Sequence, residues 1–360
     1  MKRILFFVSD FRIGISSLLT SQAMAFSSIG EFRFSFVGSD AEQVPGLAEK
    51  FRGYELFRIP ALDEHRDVSR LLGELHRIVD EKRIEIVHVQ NNWQLFLVCL
   101  LKIRYLKTYR IVYTIHGFRN NYRLKSYVAR FVMGSVMLAF VDKVIAASGV
   151  VREKFSFLGP RLHILPLGVD DRFYASEHSY DENCFTIIFP AQFRHGKNHE
   201  MLIRAVSRLN EAVRDPNIKL VLPGDGPNRA DCENLAESLG MKDAVLFPGL
   251  VGLDALRDMY NASSIAVVPT NNETFGHCIA EPFVMGRCVI SRRVGVAVDI
   301  IEDQRNGFIF DTEDELVGIL QRLYRDRGLM RRCAERAYAS RQVFNWDEIT
   351  RRYREIISGD

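Results

Sequence analysis

Several absences narrow the reading of this 360-residue chain. It has no Cys-x-x-Cys, and its six cysteines, at 99, 184, 232, 278, 288 and 333, form no close cluster with histidine. That argues against a zinc-type site or a redox dithiol and fits a reduced, cytoplasmic setting. The turn after the first strand lacks Gly-x-Gly-x-x-Gly, so a nicotinamide-dinucleotide fingerprint is missing there. The longest apolar stretches, around Trp93–Leu101 and Phe131–Val141, are too short to span a bilayer. The apolar part of Lys2–Ser9 is too short and too β-branched for a secretory signal. There is no low-complexity tract. Acid is also missing locally: from Ile86 to Val141 no Asp or Glu occurs, while Lys102, Arg104, Lys107, Arg110, Arg119, Arg123, Lys125 and Arg130 are all basic.

The net charge of +3 therefore hides an asymmetry. Residues 1–172 carry 25 Lys/Arg against 17 Asp/Glu, and the remainder 23 against 28. One half presents a cationic field suited to an anionic membrane surface through residues 102–130, a phosphorylated substrate or nucleic acid. No nucleic-acid reader motif accompanies it. Length and a 47% hydrophobic content suggest two domains.

Strand and helix signals alternate throughout. Continuous apolar runs at 2–10, 33–38, 55–59, 85–90, 110–115 and 143–148 read as buried parallel strands, with helices at 67–82 and 93–105. This alternation predicts a doubly wound parallel sheet, whose ligands bind at the carboxyl ends of the strands. Gly14 falls in the first strand–helix turn, either as a plain turn glycine or to let the backbone approach a ligand. His116-Gly117 follows the strand ending at Ile115, which favours a functional role for this histidine. In 118–141 basic residues alternate with Phe118, Tyr122, Leu124, Tyr127 and Phe131, so this is either a helix packed on the sheet or a surface for anionic lipid heads. The polar, acidic stretch 173–183 reads as a linker.

A second α/β half starts at Cys184. Its first loop, Ala191-Gln192-Phe193-Arg194-His195-Gly196-Lys197-Asn198-His199, opens a helix. Two cations at a helix N-terminus suit a diphosphate, against a plain solvated loop. His195 and His199 read as loop residues. The next strand ends in Gly224-Asp225-Gly226-Pro227, a loop allowing close backbone approach, and Pro248-Gly249-Leu250-Val251 follows as a turn. Residues 270–290 read as loop, short helix and strand, with Glu273 in the loop and Glu281 on the helix. Two carboxylates beside a helix N-terminus can grip a polyhydroxylated ligand, or belong to a solvated loop and a surface helix.

Taken together, these motifs resemble the retaining GT-B glycosyltransferases of family 4, also called group 1. The resemblance rests on Glu273-Thr-Phe-Gly-His-Cys-Ile-Ala-Glu281 with Gly286 after it, Gly224-Asp-Gly-Pro227 with Phe247-Pro-Gly249, the basic loop Arg194-His-Gly-Lys197, His116-Gly117 and Gly168-Val-Asp170. It covers nearly the whole chain. It implies an α/β, GT-B fold: two Rossmann-like doubly wound domains facing a central cleft, with a C-terminal helix crossing back to the first. The expected divisions are 1–172, a linker 173–183, 184–342, and a closing helix 343–360.

The resemblance also implies roles. Glu281 would hold the ribose of a UDP- or GDP-sugar, and Glu273 the sugar near its reacting carbon. Backbone around Phe275 and Gly276 would face sugar and diphosphate. Arg194 and Lys197 would neutralise the leaving diphosphate, His116 would contact the donor sugar, and Gly14 would approach diphosphate and acceptor. Gly224, Asp225, Gly226, Gly249 and Val251 would border the base. The acceptor would be a saccharide or lipid-diphosphate-linked saccharide, at the inner face of a bacterial membrane, in capsule or O-antigen synthesis. No Asp-x-Asp occurs, so the metal motif of the other main transferase fold is missing. Neither metal nor cofactor is expected, and the donor acts as co-substrate. The chain departs from the family in having Gln192 at the usual arginine position, a single glycine at 14 and Leu167 for a common asparagine. A nucleotide-sugar epimerase on the same fold and an inactive nucleotide-sugar-binding relative are the alternatives.

Overall fold

The computed structural model describes residues 2–7, 25–38, 53–59, 67–116, 134–175 and 184–359. Gly14, Gly117, the 118–130 stretch and linker residues 176–183 lie outside them. The chain divides into two units: 1–147, 151–168 and 346–360 form the first, and 148–150 with 169–345 the second.

In the first unit the strands are β1 (Lys2–Phe7), β2 (Phe32–Gly38), β3 (Glu55–Arg58), β4 (Ile86–Val89), β5 (Arg110–Ile115), β6 (Lys143–Ala146) and β7 (Leu162–Ile164). All pair in parallel, in the order β3-β2-β1-β4-β5-β6-β7. Their continuous apolar character follows from burial on both faces. One face places Leu5, Phe7, Val87, Val89, Ile111 and Tyr113 in a core with the helices Val68–Glu81 and Asn92–Arg104. Both helices start at a side-chain cap: Asp67 accepts from the Arg70 N–H at 3.0 Å, and Asn91 from the Gln94 N–H at 2.9 Å. The other face places Ile4, Phe6, Ile86, Val112 and Ile145 against Phe26 and the last helix, Trp346–Ser358.

That last helix is fastened at several points within the first unit. The Tyr353 ring stacks on Phe26 with centroids 3.7 Å apart. Its hydroxyl meets His88 Nδ1 at 2.7 Å. Arg352 donates to the Ile164 carbonyl at 2.7 Å, and Arg110 to that of Ile357 at 2.8 Å. Gly168 is required here, because a Cβ would sit 2.3 Å from the Trp346 ring.

The second unit holds β8 (Phe185–Ile188), β9 (Ile218–Pro223), β10 (Val245–Gly249), β11 (Ile265–Val268), β12 (Cys288–Ser291) and β13 (Gly307–Ile309). Again all are parallel, in the order β10-β9-β8-β11-β12-β13. Strand order therefore reverses at β1/β4 in one sheet and at β8/β11 in the other, and ligands of open α/β sheets bind beside such reversals.

One expectation is corrected. His199 is not a loop residue but the first residue of the helix His199–Val213, and it is 1% exposed. Its ring stacks on Phe193 at 4.0 Å, and burial pulls its pKa down to about 4. It belongs to the core.

Candidate active site

The reversal at β8/β11 brings together two loops far apart in sequence, 191–198 and 269–276. They are stapled through backbone. The Gly196 carbonyl accepts from the Asn271 N–H at 2.8 Å and from the Thr270 hydroxyl at 3.1 Å. The Asn198 amide donates to the Pro269 carbonyl and to Asn271 Oδ1, both at 2.8 Å. Gly196 (φ +87°) and Asn198 (φ +59°) adopt left-handed conformations that fold the first loop back.

Within this frame the Lys197 ammonium pairs directly with the Glu273 carboxylate, their side chains only 12% and 16% exposed. Sequence reasoning gave the two residues separate partners, whereas here each is the other's. Arg194, His195 and Gln192 are exposed on the same loop.

The glycine turn lies alongside. Gly224 (φ +140°) and Gly226 (φ +152°) have backbone that L side chains rarely adopt, and a Cβ would fall 2.1 Å from the Ala191 carbonyl oxygen or 2.3 Å from that of Phe193. The first demand for glycine here thus comes from the chain's own neighbouring loop rather than from a ligand. The Phe193 N–H donates to the Asp225 carbonyl at 3.0 Å, and the Gly224 N–H to that of Gly249 at 2.8 Å. The Asp225 carboxylate is exposed, accepts from the Gly226 N–H at 2.8 Å and lies 4.0 Å from Arg229. Val251 is half-buried beside Leu250, which is 82% exposed. These residues make one rim at the carboxyl ends of β8, β9 and β10.

The glutamate helix is His277–Val284, started by Gly276 in a left-handed conformation (φ +93°). Phe275, 4% exposed, anchors the loop: its ring meets Phe344 at 5.7 Å and its carbonyl accepts from the Val296 N–H at 2.8 Å. Glu281 is 8% exposed and takes a 3.2 Å hydrogen bond from the Tyr260 hydroxyl. Burial drives its pKa up to about 8; the Tyr260 bond opposes this, and the negative charge of Asp170 adds to it. His277 Nδ1 lies 3.7 Å from its other oxygen, but burial pulls the imidazole down to about 4, so this is no ion pair at neutral pH.

Sequence reasoning missed Tyr260, which reads as an ordinary residue near the end of the helix Leu253–Asn261. It also missed Arg287, which is fully buried and donates to the Ser263 carbonyl at 3.3 Å beside the end of that helix. His116 belongs to the first unit, half-buried just past β5. Its Nε2 contacts Gln90 Oε1, and burial lowers its pKa to about 4, leaving a neutral ring. Among the described residues no group of three or more His, Cys, Asp or Glu is gathered as a metal site.

Two family models match this chain in succession: Glycosyltransferase Family 4 over residues 34–173, and Glycosyl transferases group 1 over 170–340. The chain belongs to the family 4 (group 1) glycosyltransferases. A D-inositol 3-phosphate glycosyltransferase from Xylanimonas cellulosilytica is 30% identical over 52% of this chain and 49% of its own length. The phosphatidylinositol N-acetylglucosaminyltransferase gpi3 subunit of Schizosaccharomyces pombe is 25% identical over 78% of this chain and 62% of its own. The chain thus spans less than two thirds of these relatives. An alpha-monoglucosyldiacylglycerol synthase from Streptococcus pneumoniae is 21% identical over 85% and 74%. Among solved structures, Anabaena HepE in complex with UDP and glucose superimposes with a TM-score of 0.79 at 18% identity, covering 99% of this chain and 100% of that one. Sucrose-phosphate synthase from Thermosynechococcus elongatus gives 0.76 at 16%, covering both chains fully. These likenesses show the GT-B fold.

Proposed function

We propose that this glycosyltransferase moves a sugar, with retention and without a metal, from a UDP- or GDP-sugar to a saccharide or lipid-diphosphate-linked saccharide. The setting proposed is the cytoplasmic face of a bacterial membrane, in surface polysaccharide synthesis. The observation that carries the reading is the pairing of Lys197 with Glu273 at the β8/β11 reversal, with a hydrogen-bonded, buried Glu281 on the helix that follows. A diphosphate entering there offers Lys197 a stronger partner, and Arg194 supplies a second cation. The released Glu273 then accepts from a sugar hydroxyl. The Glu281 carboxylate accepts from ribose hydroxyls, while Gly276 places a helix N-terminus toward negative charge. Gly249, Val251 and the 224–226 turn border the base. Binding of UDP and glucose by HepE agrees with a nucleotide-sugar donor.

The membrane part of the reading rests on the helix Asn92–Arg104. Its inner face is buried in the sheet core, yet its outer stripe is apolar as well. Trp93 and Phe96 stack at 5.5 Å, Phe96 is 47% exposed, Ile103 55% and nearby Leu106 87%. Lys102 and Arg104 stand at the end of this stripe together with Lys107, which is paired with Asp80, and this basic edge matches an anionic lipid surface. Among the described residues no helix is long and apolar enough to cross a membrane.

The test is a thermal-shift screen of nucleotide sugars followed by turnover assays on Glu281→Ala. Stabilisation by one donor class and loss of transfer in a folded variant are expected. Wild-type turnover in that variant refutes the assignment, and donor isomerisation without acceptor would make the protein an epimerase.

A further inference from the structure

Open α/β sheets bind their ligands at the carboxyl ends of the strands. At the other end of the first sheet, β1, β2 and β3 start around a cavity of their own. Arg3 of β1 and Arg33 of β2 are partners in the parallel register, and Ser35 of β2 is the partner of Glu55 of β3. Side chains alternate along a strand, so Arg33 and Ser35 share a face. With Glu81 and Lys82, at the end of the helix Val68–Glu81, these residues line a cavity of about 180 Å³. A water needs about 10–15 Å³ of such space, and the sites of drug-sized ligands occupy roughly 300–1,000 Å³. The cavity therefore suits a small polar ligand.

Donors outnumber acceptors around it. Glu55 accepts from Lys82 at 2.7 Å and from the Ser35 hydroxyl at 3.1 Å, while Arg33 stands off at 3.7 Å. Ser35 is 3% exposed, and Lys82 also lies over the Phe57 ring, so these two are held in place. The Arg33 side chain, 61% exposed, is not. Arg3 donates to the Lys82 carbonyl at 2.9 Å, where a helix end favours a cation, and no carboxylate pairs with its guanidinium among the described residues. The second carboxylate of the cavity, Glu81, is exposed. Each guanidinium carries five N–H donors, so most of those on Arg3 and Arg33 have no acceptor here. Like charges at facing positions of neighbouring strands also repel. An anion between the two arginines removes the repulsion, and the planar guanidinium fork matches phosphate oxygens in pairs.

We propose that Arg3 and Arg33 form a binding site for a small phosphate-type anion, with Lys82 and Ser35 holding Glu55 aside. Its residues belong to the first unit and to the strand ends away from the β1/β4 reversal, so the site does not depend on the donor reading of the second unit.

The test is calorimetry of the full chain with inorganic phosphate and with glycerol 3-phosphate, against chloride at equal ionic strength, because a purely ionic response follows salt. Saturable binding of at least one phosphate is expected. Lys197 offers phosphate another cation, so the titration is repeated in Lys197→Met, where binding should persist. Arg33→Gln should weaken binding about tenfold or more, the value of a charge-assisted hydrogen bond, and Arg3→Gln with Arg33→Gln should abolish it. Glu55→Gln removes the competing carboxylate and should tighten it. Thermal unfolding checks that each variant is folded. No response beyond chloride, loss of binding in Lys197→Met, undiminished binding in folded Arg33→Gln, or weaker binding in folded Glu55→Gln overturns the proposal. Sedimentation with phosphatidic acid vesicles but not phosphatidylcholine vesicles, lost in Arg33→Gln, would make a lipid the source of the phosphate. Calorimetric binding without sedimentation would make it a soluble phosphate, and either result upholds the site.

Discussion

Replacing Glu281 by glutamine should make the protein more stable while removing its activity, and more so as pH rises. The variant keeps the side chain's size and an oxygen for the Tyr260 hydroxyl, but cannot ionise. In the folded wild type Glu281 holds its proton up to about 8, against 4.5 for an ordinary glutamate. Between these values the folded state binds the proton more tightly than the unfolded one. The resulting stabilisation is complete below 4.5 and is lost as pH rises through about 8. At about 1.36 kcal/mol per pH unit, the loss is on the order of 3–5 kcal/mol. The assay is thermal unfolding of wild type and Glu281→Gln at pH 5, 6.5 and 8. For a body of this size about 2–4 °C accompany each kcal/mol, so the variant should gain roughly 10 °C on wild type across the series. Tyr260→Phe removes the hydrogen bond that favours the charged form and should move the wild-type transition to higher pH. If the carboxylate receives ribose hydroxyls, UDP binding at pH 7 releases close to one proton, and calorimetry in buffers of different ionisation enthalpy reads it. Parallel stability curves for wild type and variant would refute the argument.

Gly226→Ala places a Cβ 2.3 Å from the Phe193 carbonyl oxygen on backbone at φ +152°. It should cost about 2–4 kcal/mol in denaturant titration, far above the usual surface substitution. Tyr353→Phe leaves the buried His88 Nδ1 without its hydroxyl and should cost about 1–3 kcal/mol by the same measurement. Lys197→Met leaves Glu273 unpaired at 16% exposure and should raise the KM for the donor at least tenfold; an unchanged KM removes Lys197 from the diphosphate site. Phe96→Ser with Ile103→Ser should reduce sedimentation with anionic vesicles. Equal binding to neutral vesicles before and after substitution would sink the membrane reading.

Much of the architecture was legible because burial on both faces of a parallel sheet leaves an unbroken apolar run. β5 and β12 begin and end where their runs do, and the helix Glu313–Arg325 starts at Thr312, whose hydroxyl caps it. Glu281 stood out as a carboxylate on an otherwise apolar helix, and Glu273 as a second one in the loop just before it. What stayed hidden were partners. Tyr260 and Glu281 are 21 residues apart and His88 and Tyr353 265 apart, so no local period links them. At Lys197 the sequence showed the cation but not its partner within the folded chain, the carboxylate of Glu273. At Gly224 and Gly226 the missing Cβ also makes room for the carbonyls of Ala191 and Phe193, a need that no local pattern shows. His199 looked polar and proved to be core, since an imidazole packed on phenylalanine titrates too low to carry charge.

The placement of residues 346–358 has a consequence for how the protein is made. On a translating ribosome the second unit, 169–345, has emerged in full while the first still lacks the helix that covers one face of its sheet. Until then Phe26 has no stacking partner, and His88 sits in the core with one nitrogen unmet. The unit that emerges earlier is therefore completed later. Truncation after Gly168 should yield an aggregation-prone fragment, and supplying 346–358 as a separate peptide should rescue it.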